Sequence, residues 1–453
     1  MTGNVATSES ERVGAASRVQ PAAPATPAIF LSEHSLCIRP SHQNAGRILP
    51  PKGEDVSQNQ EDDTEFDIFS PPSGENPFAV YDGMRGRCPV ARSERLGGYW
   101  IATRHQVVED VAKNPDLFSS SSISVPKDAF GDELAERPPI TLDPPRHGPF
   151  RKLLLPAFGP RQIRRMEPLV REHARELLAE IEPRGHCDAA AEYAKKIPLR
   201  FMARMMGCPP EQQEAFGERM RAILDSNDMD EIQNAMSETQ EFLQELIEDR
   251  TKNPQDDLVG LILSTEIDGI KLNAEELLGA LVLIITAGID TTWSAIGSSL
   301  WHLARTPEDR ARLSASPELI PSAVEEFLRS YSPVQIARVV TRDTDFHGAR
   351  LNKGDSILMG IPSANRDAVE FPDSDRVVID RATNRHLAFG VGIHRCIGST
   401  VARLEMRVAL EEWLRAIPDF SLAGDDPVTW STGHVWGPRR LDVEFGGRHG
   451  SPA

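Results

Sequence analysis

Apolar residues return every three or four positions along much of the chain, which predicts amphipathic helices. The clearest pattern predicts a long helix from about Ala274 to Arg305, with Asn273 and Glu276 at capping-box spacing at its start. A shorter pattern predicts a helix over about Ile320 to Ser330, and another predicts a final helix from Ile397 to about Ile417. Helices are therefore expected to dominate the chain.

Strand-like stretches are shorter and fewer. The stretch "GYWIATRHQVVEDVAKNP" predicts a strand followed by a helix, with Thr103 as the N-cap and Pro115 after the last turn. Further short strands are predicted in "ARVVTR" and "SILMG". No internal repeat or linker interrupts this order, so the predicted fold class is mainly α with a minor β part.

The first part of the chain has a different composition. Residues 1–66 are rich in Ala, Pro, Ser, Gln and acidic residues, with few apolar residues and no periodicity. Such a segment cannot bury enough apolar surface to offset the entropy lost on ordering it. We therefore predict a disordered tail over residues 1–66 and one folded domain over residues 67–453.

Charge and cysteine content exclude several classes of protein. The net charge of −18, from 50 basic and 68 acidic residues, disfavours nucleic acid and an anionic membrane surface as partners. Five widely spaced cysteines without a CxxC pair indicate a reducing compartment, so we expect a cytoplasmic protein. The longest apolar run, "LLGALVLIITAG", is shorter than the roughly 20 residues that span a bilayer, so no membrane anchor is expected.

One cysteine lies in a glycine-rich stretch, "HLAFGVGIHRCIGSTVARLE". Glycines at two-residue spacing permit a tight turn and let a flat group approach the backbone. A helix is predicted directly after Cys396, and a sulfur at a helix N-terminus lies near unpaired N–H groups that favour the thiolate. Most lone cysteines are buried core residues, but this pattern favours a metal ligand. Its fixed positions are Phe389, Gly390, Gly392, His394, Cys396 and Gly398.

Two metal chemistries can be compared at this cysteine. Zinc needs several Cys or His ligands at suitable spacing, and only His386 and His394 are near. Haem needs one strong axial protein ligand and a glycine-lined face, and this stretch offers both. A dinucleotide-binding loop is disfavoured because Arg395 stands where its last glycine should be. The residues therefore favour haem.

The pattern FGxGxHxCxG resembles the haem-ligand signature of the cytochrome P450 superfamily, the haem-thiolate monooxygenases, of the bacterial soluble type. The resemblance extends from about Glu65 to Phe445. It implies the cytochrome P450 fold for the domain, and haem b (iron protoporphyrin IX) with Cys396 as the axial thiolate ligand. The other residues that it places at the haem are His147, Arg151, Ala287, Gly288, Arg338, Phe389, Gly390, His394 and Gly398.

The stretch "AGIDTT" lies in the predicted long helix. Taken alone, it could be a buried helix with an incidental glycine and two threonines. Glycine weakens a helix interior, however, and a threonine hydroxyl can bond back to the helix backbone and bend it. Asp290 and Thr291 also place an acid and a hydroxyl beside an apolar wall. The stretch resembles the proton-delivery motif of the family, which implies that both residues are catalytic in O–O cleavage.

Two further pairs lie one helical turn apart. Glu326 and Arg329 in "EEFLR" could form an ordinary surface salt bridge. They resemble the family's ExxR pair, which is buried and braces the cysteine loop together with a later arginine, here Arg381.

His147 and Arg151 in "HGPFR" form the second pair. They resemble the family pair that binds the haem propionates, two carboxylates that need cationic partners. Arg338 and His394 resemble the remaining propionate partners.

These motifs imply a monooxygenase that inserts one oxygen atom from O2 into a hydrophobic small molecule, by hydroxylation or epoxidation. Terpenoid, fatty acid, aromatic and polyketide-type substrates all fit an apolar wall. The residues expected in that wall are Leu283, Ile284, Ala287, Val334 and Ile336.

The electrons must come from outside, because the sequence carries no flavin or nicotinamide domain. We expect NAD(P)H electrons through a separate ferredoxin or flavodoxin with its reductase, and we expect the enzyme to be a monomer. Arginines near the ligand could form a cationic docking face or simply a solvated surface. They are Arg164, Arg165, Arg385, Arg395, Arg403 and Arg407.

Three other functions can be weighed against this one. A peroxide-driven peroxygenase on the same fold is disfavoured by the intact Asp290 and Thr291. A non-catalytic haem sensor or carrier would show no turnover coupled to NAD(P)H. A zinc or cysteine hydrolase is disfavoured because neither G-x-S-x-G nor H-E-x-x-H occurs in the sequence.

Overall fold

The computed structural model describes residues 66–70, 78–127, 137–226, 228–267, 269–425 and 427–446. The predicted tail lies outside these ranges except for its last residue, and its disorder stays a prediction. That residue, Phe66, is buried, and its carbonyl oxygen accepts hydrogen bonds from Ser93 and Tyr99. The folded domain therefore includes Phe66, one residue before the expected boundary.

Helices dominate the described residues. In chain order the α-helices are α1 (Val80–Arg87), α2 (His105–Lys113), α3 (His147–Leu154), α4 (Pro160–Ile181), α5 (Lys196–Met206), α6 (Gln213–Asp225), α7 (Met229–Lys252), α8 (Leu258–Ser264), α9 (Ala274–Arg305), α10 (Pro307–Ala315), α11 (Ile320–Ser330), α12 (Ile361–Ala364) and α13 (Ser399–Ala416). The bounds of α9 and α11 are those that the sequence predicts, whereas α13 begins two residues later than expected.

The strands are short. They are β1 (Val90–Ser93), β2 (Tyr99–Ala102), β3 (Phe118–Ser119), β4 (His186–Asp188), β5 (Ile336–Val340), β6 (Thr344–Phe346), β7 (Ala349–Leu351), β8 (Ser356–Met359), β9 (Phe420–Leu422), β10 (Val428–Trp430) and β11 (Pro438–Phe445). One sheet has the order β1-β2-β8-β5-β3, in which only β2 and β8 are parallel. In a second sheet β11 pairs with β4, β9 and β10. A separate two-stranded sheet is formed by β6 and β7.

The long helix α9 organises the core. Its start has the predicted capping box, because the Asn273 side chain accepts from the Glu276 N–H and the Glu276 side chain accepts from the Asn273 N–H. By length and composition α9 could cross a membrane, but more than half of its most apolar window is buried inside the protein. It packs against α5, α7, α13 and β11. A helix buried on most sides can present side chains to a cavity on one face and to a sheet on another.

One local prediction is wrong. Thr103 does not cap α2, because its hydroxyl donates to the carbonyl oxygens of Cys88 and Pro89. The first N–H group of α2, that of His105, is instead satisfied by the carboxylate of Asp367 at 3.0 Å. The cap thus comes from a residue distant in sequence, which local spacing cannot reveal.

Candidate active site

A large cavity lies between α9 and the loop that precedes α13. It encloses about 1640 Å³ of empty space, counted together with its open mouth. Most of the residues named by the sequence motifs meet in its wall. They are Arg151, Leu283, Ile284, Ala287, Gly288, Thr291, Val334, Ile336, Arg338, Phe389, Gly390, His394, Cys396 and Gly398. One chamber therefore brings together segments that lie more than 240 residues apart in the chain.

The shape of the cysteine loop depends on its glycines. Gly390 and Gly392 have φ angles of 65° and 74°, in the left-handed region that favours glycine. A side chain at Gly392 would also place its Cβ 2.6 Å from the carbonyl oxygen of Ala112 on α2. The N–H of Cys396 donates to the carbonyl oxygen of Phe389 at 2.8 Å and closes the loop. The backbone thus fixes Cys396 at the cavity wall.

The thiol of Cys396 is subject to opposing influences. It keeps an accessible surface in the cavity wall although protein surrounds it on most sides, and this burial raises its pKa. The N–H of Gly398 at the start of α13 and the guanidinium groups of Arg151 and Arg395 act in the opposite direction. Burial is the larger influence, so the helix terminus alone does not produce the expected thiolate. A coordinated metal ion would supply the missing stabilisation, since a coordinating thiol is deprotonated.

The two histidines near Cys396 have other partners. Nε2 of His386 lies 3.1 Å from the carboxylate of Glu325, and Nε2 of His394 lies 2.9 Å from the hydroxyl of Ser120. A tetrahedral zinc site would need such donors around the same ion. Cys396 is instead placed as a single donor, which suits an axial haem ligand.

Basic side chains gather at one end of the cavity. No carboxylate among the described residues forms an ion pair with them. Arg338 on β5 is 3% exposed, and burial lowers its pKa to about 10. Nη1 of this residue donates only to a neighbouring backbone carbonyl oxygen, and Arg151 on α3 donates to a carbonyl oxygen of the cysteine loop. Nε2 of His147 is buried without a hydrogen-bond partner among the described residues, and its ring lies 4.3 Å from that of His394.

These basic groups fit an anionic ligand. Burial lowers the pKa of His147, and it lowers that of His394 to about 3, helped in both cases by nearby arginines. The carboxylate of Asp143 lies nearby but accepts hydrogen bonds from Ser119 and Ser120. Two propionate groups would supply acceptors for the buried donors. The single thiol, the glycine-lined loop and this basic end therefore all fit haem.

The cavity face of α9 is apolar but carries a hydroxyl group. Oγ1 of Thr291 donates to the carbonyl oxygen of Ala287 at 2.7 Å, the backbone bond that threonine can form in a helix. A Cβ at Gly288 would lie only 2.4 Å from Cε of Met202 on α5. The glycine therefore makes room for Met202, which also lines the cavity.

Asp290 is not part of the cavity wall. Its Oδ1 accepts a hydrogen bond from Nη2 of Arg439 on β11 at 2.5 Å. Burial raises the pKa of Asp290, and Arg439 opposes that change. Arg439 also contacts the hydroxyl of Ser294 at 3.0 Å and lies 4.1 Å from the ring of Trp293. The expectation that Asp290 lies beside Thr291 at the wall is wrong, because consecutive helical residues point about 100° apart.

The ExxR pair is fully buried. Nε and Nη2 of Arg329 donate to the two carboxylate oxygens of Glu326 at 2.8 and 2.9 Å. Arg381 donates to Glu326 at 2.9 Å, as the family resemblance implies. Asn384, which no sequence motif identifies, donates to the same carboxylate at 3.0 Å. These contacts tie α11 to the segment that leads into the cysteine loop.

The arginines suggested for docking fall into two groups. Arg403 forms two hydrogen bonds with Glu325, and Arg407 pairs with Glu167 and Glu411. These two are largely neutralised by their acidic partners. The other four are exposed, and the described residues form no ion pair with them. They are Arg164, Arg165, Arg385 and Arg395.

Sequence reasoning missed one acidic residue of the cavity. Glu405 on α13 lines it and is 2% exposed, and its Oε1 has no hydrogen-bond partner among the described residues. Burial raises its pKa well above the usual range, which favours the protonated form of the group. Its neighbours at i−4, i+3 and i+4 on α13 are Val401, Val408 and Ala409, and a carboxyl group on this apolar helix face could have identified it from sequence.

Comparisons with known proteins agree with this geometry. The family model described as Cytochrome P450 matches residues 210–316 and 315–429. Vitamin D(3) 25-hydroxylase of Pseudonocardia autotrophica is 34% identical over 392 residues, which cover 85% of this chain and 97% of that protein. Mycinamicin IV hydroxylase/epoxidase of Micromonospora griseorubida is 32% identical over 374 residues, covering 80% and 94%.

Solved structures are also similar. The cytochrome P450 PksS of the Bacillus subtilis 168 bacillaene polyketide synthase has a TM-score of 0.78 and 31% identity, covering 84% of this chain and 99% of that one. CYP109E1 from Bacillus megaterium in complex with testosterone has a TM-score of 0.75 and 30% identity, covering 82% and 99%. The mainly α fold with a minor β part is therefore confirmed.

Proposed function

Since the chain belongs to the cytochrome P450 superfamily and is a monooxygenase of that kind, we propose that it inserts one oxygen atom from O2 into a hydrophobic, polycyclic or macrocyclic small molecule. The observation that carries this proposal is the cavity itself. It holds Cys396 on one side, Thr291 on the opposite helix, and a basic end fitted to carboxylates.

The protein residues would hold haem b at three places. Cys396 would provide the thiolate ligand, and the loop glycines would let the ring approach the backbone. Arg338, Arg151 and His147 would bind the two propionates, which would give partners to the ring nitrogen of His147 and the guanidinium of Arg338 that lack them among the described residues. When bound through a thiolate, haem iron supplies the activation of dioxygen and the cleavage of the O–O bond.

The chain's own part in proton delivery belongs to α9. Thr291 exchanges its hydrogen bond to the Ala287 carbonyl for one toward the cavity and donates a proton there. Asp290 lies on the other face of α9; after it leaves Arg439 it takes up a proton from solvent and passes that proton to the Thr291 hydroxyl. Glu405 provides a carboxyl group in the cavity wall itself, and its burial favours the protonated form.

The substrate class follows from the wall and from the relatives. Leu283, Ile284, Val334 and Ile336 present only hydrocarbon, which favours a ligand with few polar groups. The names of the relatives include a vitamin D(3) hydroxylase, a mycinamicin hydroxylase/epoxidase and a steroid C26-monooxygenase. Among the four substrate types expected from the sequence, the terpenoid and polyketide types are therefore favoured.

Electrons would come from NAD(P)H through a separate ferredoxin and its reductase in the cytoplasm. Four exposed arginines have no ion pair among the described residues and are candidate contacts for an acidic ferredoxin: Arg164, Arg165, Arg385 and Arg395. Charge reversal at Arg395 should slow electron transfer and weaken its dependence on salt. The same change at Arg407, already paired with two glutamates, should have less effect on the salt dependence.

The spectrum of the reduced, carbon-monoxide-bound protein tests this proposal. Wild type should show the strongly red-shifted Soret band of a thiolate-ligated haem, and Cys396→Ala should lose it. Cys208→Ala, at a buried cysteine outside the cavity wall, is the matched control and should retain the band. A histidine-type spectrum that Cys396→Ala leaves unchanged would contradict the assignment. Activity with peroxide but not with a reductase would favour a peroxygenase instead.

A further inference from the structure

A buried tyrosine near the cavity is hydrogen-bonded to a histidine–aspartate pair. The hydroxyl of Tyr331, just after α11, lies 2.8 Å from Nδ1 of His302 on α9. Nε2 of the same imidazole lies 2.9 Å from Oδ2 of Asp309 on α10. Because the carboxylate can only accept, Nε2 donates to it, and in a neutral imidazole Nδ1 then accepts from the phenol. The three groups thus form one directed chain of hydrogen bonds.

The burial of Tyr331 and His302 limits the reactions that this hydrogen-bonded series can undergo. Tyr331 is 9% exposed and His302 is 7% exposed. Burial raises the pKa of Tyr331, so the phenol cannot simply ionise. The ring could still lose an electron if its proton moved to His302 at the same time. A base already bonded to the phenolic hydroxyl is the arrangement that such a coupled step needs.

Other oxidisable rings continue from Tyr331 toward the surface. The rings of Tyr331 and Trp301 are 5.5 Å apart, and those of Trp301 and Trp430 are 5.2 Å apart. Trp301 is 7% exposed, whereas Trp430 is only half-buried. Arg305 lies 4.7 Å from the Trp301 ring, and its positive charge disfavours a cation there. Tyr331 would therefore be the residue that stays oxidised, and Trp301 would be oxidised only transiently.

The inner end of this series lies between two residues of the cavity wall in sequence. Leu328 and Pro333, which flank Tyr331 in the chain, both line the cavity. Of the aromatic residues in the series, Tyr331 is thus the nearest in sequence to residues of the cavity wall. The inference rests on the proposed function, because only haem oxygen chemistry would supply an oxidant strong enough to remove an electron from a phenol.

We propose that Tyr331, His302 and Asp309 form a proton-coupled redox relay that removes oxidising equivalents from the haem site when no substrate is oxidised. One electron passes from the Tyr331 ring to the oxidant in the cavity. The phenolic proton passes to Nδ1 of His302, and the imidazolium is stabilised by Asp309. An electron then returns through Trp301 from Trp430, which a soluble thiol reduces, and the proton returns to Tyr331.

The relay is tested in the substrate-free holoenzyme, mixed with hydrogen peroxide and frozen within seconds for electron paramagnetic resonance. The chain has four tyrosines, so a tyrosyl signal can be assigned by substitution. Tyr331→Phe keeps the packed ring and should abolish the signal. Tyr193→Phe is the matched control and should keep it, because the Tyr193 hydroxyl donates to a backbone carbonyl and has no base as partner.

Two more variants test the proton and the exit separately. His302→Gln should lower the radical yield at least fivefold while Tyr331 remains. Trp301→Phe should lengthen the lifetime of the signal at least fivefold, because the return of the electron is interrupted. Peptide mass spectrometry should also find more sulfoxide at Met202, which lines the cavity, in Tyr331→Phe than in wild type.

The outcomes separate the relay from the proposed function. A red-shifted carbon monoxide band together with a signal that Tyr331→Phe leaves unchanged would overturn the relay alone. The same band with no tyrosyl signal in wild type would also overturn it. Loss of the band in wild type would overturn the haem-thiolate assignment and the relay with it.

Discussion

Glu326 is the acidic residue whose loss should destabilise the fold most. One carboxylate oxygen accepts from Nε of Arg329, Nε of Arg381 and Nδ2 of Asn384, at 2.8, 2.9 and 3.0 Å. The other accepts from Nη2 of Arg329 and the N–H of Val378, at 2.9 and 2.7 Å. All five contacts come from donors. In Glu326→Gln the amide nitrogen, also a donor, would face at least two of them.

The expected cost can be worked out in two ways. Two buried donors left unpaired cost about 1–3 kcal/mol each. Removing one partner of a buried ion pair costs about 3–5 kcal/mol. Both routes indicate a loss of about 4 kcal/mol in the free energy of unfolding. Native domains are stable by only about 5–15 kcal/mol, so Glu326→Gln should use up much of that margin.

Urea unfolding followed by far-ultraviolet circular dichroism measures this loss, and the same helix offers a matched control. Glu325 pairs with Arg403 and His386, but its side chain is 29% exposed. Glu325→Gln should therefore cost only about 1 kcal/mol. Equal losses in the two variants, or a loss below about 1 kcal/mol for Glu326→Gln, would refute the argument.

Three further changes have defined outcomes. Arg338→Met should speed haem loss to apomyoglobin about tenfold or more, because a charge-assisted hydrogen bond contributes about 1.5–3 kcal/mol; an unchanged rate would show that Arg338 binds no propionate. Three arginines lower the pKa of Glu412 to about 2 against burial, so its stabilising contribution should disappear as pH falls from about 4.5 to 2. The midpoint of thermal unfolding should depend less on pH in this range in Glu412→Gln. Gly288→Ala should cost about 1–3 kcal/mol in urea unfolding because its Cβ meets Met202, and an added Met202→Ala should remove most of the clash; equal stability of Gly288→Ala and wild type would refute the contact.

Local sequence signals predicted those helices whose capping residues and apolar period lie within or next to the helix itself. The start of α9 follows from a capping box of four residues, and its length follows from an apolar period that continues along the helix. The pairing of β11 with β4 could not be predicted in the same way. Val443 lies opposite Cys187, more than 250 residues earlier, and nothing in either strand names its partner.

The candidate site shows the same division. The cysteine loop could be predicted because glycines at fixed spacing specify its backbone before any tertiary contact forms. Whether each arginine forms an ion pair could not be predicted, because this depends on which helices and loops pack against each other. Arg403 and Arg395 look equivalent in sequence, yet Arg403 lies against Glu325 while Arg395 is exposed without an ion pair among the described residues. Exposure and charge alone do not identify a docking surface until the packing of the helices is known.

The separation of Asp290 from Thr291 changes how proton delivery has to be understood in this chain. A motif read along the sequence makes them neighbours, but helix geometry turns them to different sides of α9. The hydroxyl of Thr291 is bonded to the Ala287 carbonyl, and the carboxylate of Asp290 is bonded to Arg439. Both bonds have to open before a proton can pass between the two side chains. Because Arg439 belongs to β11, the C-terminal sheet holds the carboxylate of Asp290, and the proposed proton delivery depends on this strand as well as on the motif in α9.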